Sequence, residues 1–228
     1  MANEFRLDGV VPWGREADEY EAFFALADVP PRARVLDCGG GPSSFTAEWC
    51  ARGRPVVAAD PLYAFDGAAI RARFDATRAP MREGMERAHA HFIWEFYASE
   101  DAVVLRRERA LARFCSDRAA HPERYVAASL PVLPFASDSV ELVLCSHLLF
   151  LYSAELSLEL HVESVREMLR VGRELRVFPL LDLEGEPSQH LEPALAALRA
   201  EADAERVTVP FEFRRGAREM LRLRRGAP

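Results

Sequence analysis

The stretch Arg34-Val35-Leu36-Asp37-Cys38-Gly39-Gly40-Gly41-Pro42 constrains this chain more than any other. A short apolar run breaking into three glycines reads as a strand that ends in a tight turn, because glycine alone enters left-handed backbone without a steric cost. Ser43 or Ser44 can then cap a helix running to about Arg52 and Gly53. A second β-rich run, Pro55-Val56-Val57-Ala58-Ala59-Asp60, follows and ends on a carboxylate. Strand, helix and strand at this spacing form a βαβ unit, and its two strands must be parallel.

Further strands are expected at Tyr125 to Ser129, Val140 to Cys145 and Leu175 to Phe178, with an amphipathic helix from about Ala154 to Leu169 between the last two. Before the first strand, Arg15 to Leu26 reads as a lead-in helix stopped by Pro30-Pro31. After a helix near Ser188 to Glu201, the runs Val207 to Phe213 and Met220 to Leu223 lie too close for a parallel crossover and must form a hairpin. The expected architecture is an α/β, Rossmann-like three-layer αβα sandwich whose seven-stranded sheet is mostly parallel and ends in an antiparallel hairpin. Between Asp60 and Tyr125 the chain is longer than one crossover helix requires. A helical insert at about 64–122 is therefore expected within a single domain spanning 1–228, poised over the ligand side of the sheet as a candidate lid.

Composition narrows the class. The termini and interior hold no apolar run long enough for a membrane, and Met1 to Arg6 do not resemble a signal peptide, so the cytoplasm is expected. Cys38, Cys50, Cys115 and Cys145 form no Cys-x-x-Cys pair, which points to reduced thiols and to no metal site. A net charge of −7 disfavours a broad attraction to nucleic-acid phosphates. Every basic residue counted is Arg, and Arg214, Arg215, Arg218, Arg222, Arg224 and Arg225 make the one basic concentration. It suits either a solvated hairpin end or a docking strip for RNA or protein.

The string Asp37-Cys38-Gly39-Gly40-Gly41-Pro42-Ser43 resembles motif I of the class I S-adenosylmethionine (SAM) dependent methyltransferases. Leu130-Pro131-Val132-Leu133-Pro134-Phe135 through Val140-Glu141-Leu142-Val143 resembles the passage that links strands three and four in many of them. Val11-Pro12-Trp13-Gly14-Arg15 and Ser146-His147-Leu148-Leu149-Phe150-Leu151-Tyr152 resemble strings of an uncharacterised bacterial subgroup of that family. The resemblance covers most of the chain. It implies SAM as cofactor, with Gly39, Gly40 and Gly41 letting the backbone approach its methionine half and Asp37 holding the turn or accepting from its ammonium.

Asp60, about twenty residues beyond the turn, stands where a carboxylate accepts both ribose hydroxyls, a device shared with NAD sites; as a turn former before Pro61 it needs no ligand at all. What separates the two cofactors is Asp37, since a dinucleotide turn usually has no acid there and must seat a pyrophosphate. The resemblance puts Ser129, followed by Leu130, where an Asp or Asn often contacts adenine, and implies that Cys145 and Ser146 lie beside the transferring methyl. Trp13 and Arg15 are placed to fold over the cofactor, Arg15 pairing with its carboxylate, though Arg15 equally suits an exposed helix start. His147 and Tyr152 are the candidate catalytic residues: His147 as a base or as a loop-ordering histidine, Tyr152 as a substrate-orienting hydroxyl or as packing. His89 and His91, two apart, face different ways on a helix and are read as surface residues. The acidic charge and the insert favour a small-molecule acceptor over RNA or protein. A non-catalytic SAM-binding protein of the same fold remains open.

Overall fold

The computed structural model describes residues 12–226. Val11 and the Met1 to Arg6 segment lie outside the described residues. Seven strands form one sheet in the order β3-β2-β1-β4-β5-β7-β6: β1 Val35–Cys38, β2 Val56–Ala59, β3 Tyr125–Val126, β4 Val140–Ser146, β5 Gly172–Phe178, β6 Ala202–Thr208 and β7 Glu219–Arg225. The first five run parallel, and β7 lies antiparallel between β5 and β6. The α-helices are α1 Ala17–Phe23, α2 Phe45–Ala51, α3 Gly67–Arg87, α4 Glu100–Ala120, α5 Leu158–Val171 and α6 Leu191–Leu198. None of them is long and apolar enough to cross a membrane.

The alternation of side chains along each strand builds the three layers. Leu36 and Cys38 of β1, with Val143 and Cys145 of β4, pack toward α5 and α6. Val35, Leu142 and Leu144 point the other way, into a core with Tyr20, Phe23, Phe45 and Trp49 of α1 and α2. Asp37 shares the face of Val35, so the same alternation carries its carboxylate into the α1 side of the sheet, fully buried.

Between β2 and β3 stand the two 21-residue helices α3 and α4. Several ties fasten them to the rest of the chain, among them a buried ion pair and a backbone bond. Arg107 of α4, 2% exposed, pairs at 2.7 Å with Glu19 of α1, which is wholly buried and also accepts from the Tyr97 hydroxyl. Removing one member of such a buried pair typically costs 3–5 kcal/mol, roughly, because the other charge is stranded. The link between the helices adds a backbone tie, Ile93 N donating to Phe213 O at 2.7 Å, and stacks Phe92 on Phe213.

That tie corrects the expected sixth strand. The aromatic run Val207 to Phe213 was the natural strand by composition, yet β6 is Ala202–Thr208 and mostly exposed. An edge strand needs one protected backbone side only, and charged residues there discourage association. Val209, Phe211 and Phe213 leave the sheet edge and pack instead with Phe92, Trp94, Phe96 and Tyr97.

Candidate active site

A cavity of about 400 Å³ opens at the carboxyl ends of the parallel strands, the place where doubly wound sheets bind ligands. It is lined by the glycine turn after β1, Asp60 and Pro61 after β2, Ser129 and Leu130 after β3, Ser146 to Leu149 at the end of β4 and just beyond it, and Trp13 and Arg15 from the segment before α1. Tyr152 joins it from the turn leading into α5. Twelve of the fourteen residues singled out in the sequence thus line one cavity.

The two exceptions are Asp37 and Cys145, which do not line it. Cys145 points into the α5 core. Asp37 sits beneath the turn with the Tyr20 hydroxyl 3.1 and 3.2 Å from its two oxygens. A Cβ on Gly40 would lie 2.4 Å from Asp37 Oδ2, so the middle glycine makes room for this carboxyl rather than for a ligand. Burial raises the Asp37 pKa to about 8, with a smaller push from Asp60. The outer glycines serve the turn itself, with φ of 72° at Gly39 and 55° at Gly41.

Asp60 clasps the turn. Its Oδ2 accepts from Gly41 N at 2.9 Å and its Oδ1 from Leu62 N at 2.7 Å, while the Tyr63 hydroxyl donates to Gly41 O at 2.8 Å. Burial raises the Asp60 pKa to about 6, against the pull of those two N–H donors. Each carboxylate oxygen keeps a lone pair toward further donors.

The segment 12–16 is strapped across the turn. Ser44 N donates to Arg15 O at 3.0 Å, the Ser43 hydroxyl donates to the same oxygen at 2.9 Å, and a Cβ on Gly14 would lie 1.9 Å from Pro42 O. The strap delivers two unsatisfied groups. Arg15 makes one side-chain hydrogen bond among the described residues, to Trp13 O at 3.2 Å, and no described carboxylate pairs with it. Burial, with Arg107 adding, lowers its pKa to about 10. The Trp13 indole N–H is buried and has no partner among the described residues. A half-buried cation and a buried donor left open among the described residues are groups that a ligand carboxylate or other acceptor would satisfy.

On the opposite side, His147 N donates to Phe178 O at 2.7 Å, its Nδ1 lies 2.9 Å from Ser146 Oγ, and its ring stands edge-on to Phe23 and Phe178. Burial pushes its pKa well below the usual imidazole range, and Arg15 and Arg107 push further. His147 is therefore neutral and a weak base. Residues that sequence reasoning passed over also matter here: Tyr63 on the turn, Met81 of α3 and Leu183 at the cavity, and His161 beneath the β4 loop. No local motif marks them. His161 of α5 is wholly buried; its Nε2 accepts from Phe150 N at 3.1 Å and its Nδ1 donates to Ser157 O at 2.8 Å.

The C-terminal arginines are largely engaged. Arg222 pairs with Glu205, Arg224 with Glu174 at 2.7 Å and Arg225 with Asp138, while Arg214 donates to Glu184 O at 2.5 Å. His89 and His91 are exposed, and His89 stacks on Trp94 and contacts Glu100.

No protein-family model matches the chain. An uncharacterized protein of the archaeon Methanocaldococcus jannaschii is 29% identical over 220 residues, 96% of this chain and 98% of that one. A solved structure from Methanococcus maripaludis, provisionally described as an S-adenosyl-L-methionine-dependent methyltransferase, superposes with a TM-score of 0.51 over 93% of this chain and 84% of that one, at 9% identity. Magnesium protoporphyrin IX methyltransferase from Synechocystis, solved with bound SAM, gives 0.49 over 92% and 78%, at 12% identity. With its mostly parallel sheet, closing antiparallel strand and end-to-end superposition, the chain has the fold of the class I SAM-dependent methyltransferases.

Proposed function

We propose that the chain is a SAM-dependent methyltransferase acting on a small molecule. The observation that carries this reading is the convergence on one cavity of the glycine turn, the Asp60 carboxylate, the Arg15 guanidinium and the Trp13 indole N–H, the last two without a carboxylate or an acceptor, respectively, among the described residues. These groups fit the cofactor's parts: Arg15 and Trp13 for the methionine carboxylate, Gly39 and Gly41 for the close backbone approach, and Asp60 for the ribose hydroxyls. Pro61, Ser129 and Leu130 would border the adenine. The cofactor supplies an electrophilic methyl on a sulfonium, whose transfer needs alignment and dryness more than covalent help.

This chain's own residues serve those needs. Trp13, Met81 and Leu183 line the cavity from outside the strand-end loops and give it apolar surface there. Ser146 ends β4 and His147 follows it on the side expected to face the acceptor, and Tyr152 lies farther along, toward α5. A neutral His147 orders the loop and presents a polar edge, but takes up a proton poorly. A small acceptor is favoured over RNA or protein because the C-terminal arginines already hold acids or carbonyls of this chain.

Calorimetric titration with SAM, S-adenosylhomocysteine and NAD tests the reading. Saturable binding of the first two is expected, weakened by at least about 100-fold in Asp60→Ala, which strips a charged acceptor from two backbone donors. Preference for NAD, or no binding, refutes it. Binding without turnover on any acceptor would favour the non-catalytic alternative.

A further inference from the structure

Resting on the methyltransferase reading, we infer that Arg107 of the helical insert is a positioning residue for the cofactor: it occupies Glu19, and so leaves Arg15 to the methionine carboxylate. The insert is then a fixed part of the cofactor site, although Arg107 itself does not line the cavity.

Glu19 is the acid that would otherwise claim Arg15. Its side chain folds back over the first turn of α1, where Oε2 accepts from Glu16 N at 2.8 Å, one residue from Arg15. Both arginines act on its charge. Burial alone would raise the Glu19 pKa; Arg107 first, and Arg15 next, bring it below the ordinary carboxylate value. An ionised carboxylate thus stands beside two guanidinium groups and bonds only one of them.

The insert decides which one. A carboxylate has about four lone-pair sites to offer. On Glu19, Oε1 accepts from the Tyr97 hydroxyl and from Arg107 Nη1 at 2.7 Å, while Oε2 accepts from Arg107 Nη1 at 2.8 Å and from Glu16 N. Three of these four bonds come from the insert. Arg107 Nη2 also donates to the Tyr97 hydroxyl oxygen at 3.0 Å, which keeps that hydroxyl turned toward Glu19. Arg106 approaches Glu19 Oε2 to 3.7 Å but is held by Glu16 and Asp18. Arg15 is left with its bond to Trp13 O, and its other N–H groups are open among the described residues.

The charges balance on the same terms. Arg15, Arg107 and Glu19 carry one net positive charge between them, which the methionine carboxylate cancels. Without the charge of Arg107 that sum is already zero. Glu19 then attracts Arg15 and repels an incoming carboxylate, and both effects are strong where burial lowers the effective dielectric.

Two ligands and three variants test the inference by calorimetry. Decarboxylated S-adenosylhomocysteine keeps the nucleoside, thioether and ammonium of S-adenosylhomocysteine, so the ratio of the two affinities reads the carboxylate alone. Arg107→Gln keeps a donor for Glu19 and removes the charge; it is expected to lower the preference for S-adenosylhomocysteine about 10-fold or more. Glu19→Gln is expected to raise that preference, since both arginines then face the site. The double variant Glu19→Gln/Arg107→Gln has the wild-type net charge, and its preference is expected within about 3-fold of the wild-type value. A loosened scaffold would instead weaken both ligands together, and a preference unchanged in the two single variants overturns the inference. So does a loss in Arg107→Gln that the double variant does not repair. Should one single variant fail to fold, the other is compared with the double variant, and equal preference in those two overturns it. Wild-type protein that binds the two ligands equally removes the carboxylate from Arg15 and overturns it as well. Wild-type protein that binds no S-adenosylhomocysteine fails one step earlier, at the methyltransferase reading itself.

Discussion

The two walls of the cavity reach similar backbone shapes by opposite means. The wall after β1 and β2 puts glycine wherever φ is positive, at Gly39 and Gly41, and locks itself with bonds between residues about twenty apart, Gly41 N to Asp60 and Tyr63 to Gly41 O. The wall after β4 puts His147 at φ 52° and Phe150 at φ 62°, where side chains are strained by about 1–3 kcal/mol each. It persists because distant groups hold it: Phe178 O takes the His147 N–H, and His161 takes the Phe150 N–H. The first wall is self-sufficient. The second is only as firm as β5 and α5 make it.

Substitutions can break this contrast, and the largest effect is expected at Gly14. A Cβ there would collide with Pro42 backbone, so Gly14→Ala should dislodge the strap from the glycine wall, costing about 3 kcal/mol in chemical unfolding and most S-adenosylhomocysteine affinity. Unchanged affinity would mean that the strap is not part of the cofactor site. Next comes Arg15→Gln, expected to weaken S-adenosylhomocysteine by about 30-fold while leaving adenosine almost unaffected, because adenosine lacks the carboxylate. Equal losses for the two ligands would remove Arg15 from that role.

On the other wall, His161→Phe should lower stability by about 2 kcal/mol by stranding the buried Phe150 N–H, with His161→Gln recovering part of it. Hydrogen exchange should locate the loosening at 147–152 and leave 39–44 protected. Loosening of both segments together would show that the walls are one unit.

The smallest effect is a pH slope that sharpens the comparison. The folded pKa of Asp37 lies above its unfolded value, so its ionisation in the folded state is opposed, and stability falls as pH rises toward about 8. His147 and His161 act oppositely, since depressed folded pKa values lose stability as pH drops below about 6.5. Between pH 6.5 and 8 Asp37 acts without them, and the ligand-free protein should lose about 1 kcal/mol; Asp37→Asn should flatten that slope. A slope that survives the substitution would assign it to another group.

The same contrast governs what could be read in advance. The glycine turn and Asp60 were legible because their chemistry is local: glycine for positive φ, an acid at a strand end. Trp13, Arg15, Ser129 and His147 were legible through the resemblance, and all line the cavity. Asp37 was read as holding the turn or as accepting from the cofactor, and it sits beneath the turn against Tyr20, off the cavity wall, a placement the sequence left open because it does not say which face of a strand meets which layer. Tyr20 and His161 left no signal, since their partners Asp37 and Phe150 become neighbours only after the helices dock.

What the sequence determined by itself was the alternation of strands and helices, the parallel first unit, the turn and the acid beyond it, all set by periodicity and by backbone preferences within a few residues. Tertiary structure alone decided that Val209 to Phe213 would abandon the sheet for the aromatic cluster, that the C-terminal arginines would find acids or carbonyls, and that Arg15 would remain without an acid among the described residues. Those outcomes depend on which buried groups are satisfied by remote partners, and a hydrogen bond or ion pair between distant residues exists only once packing has brought both ends together.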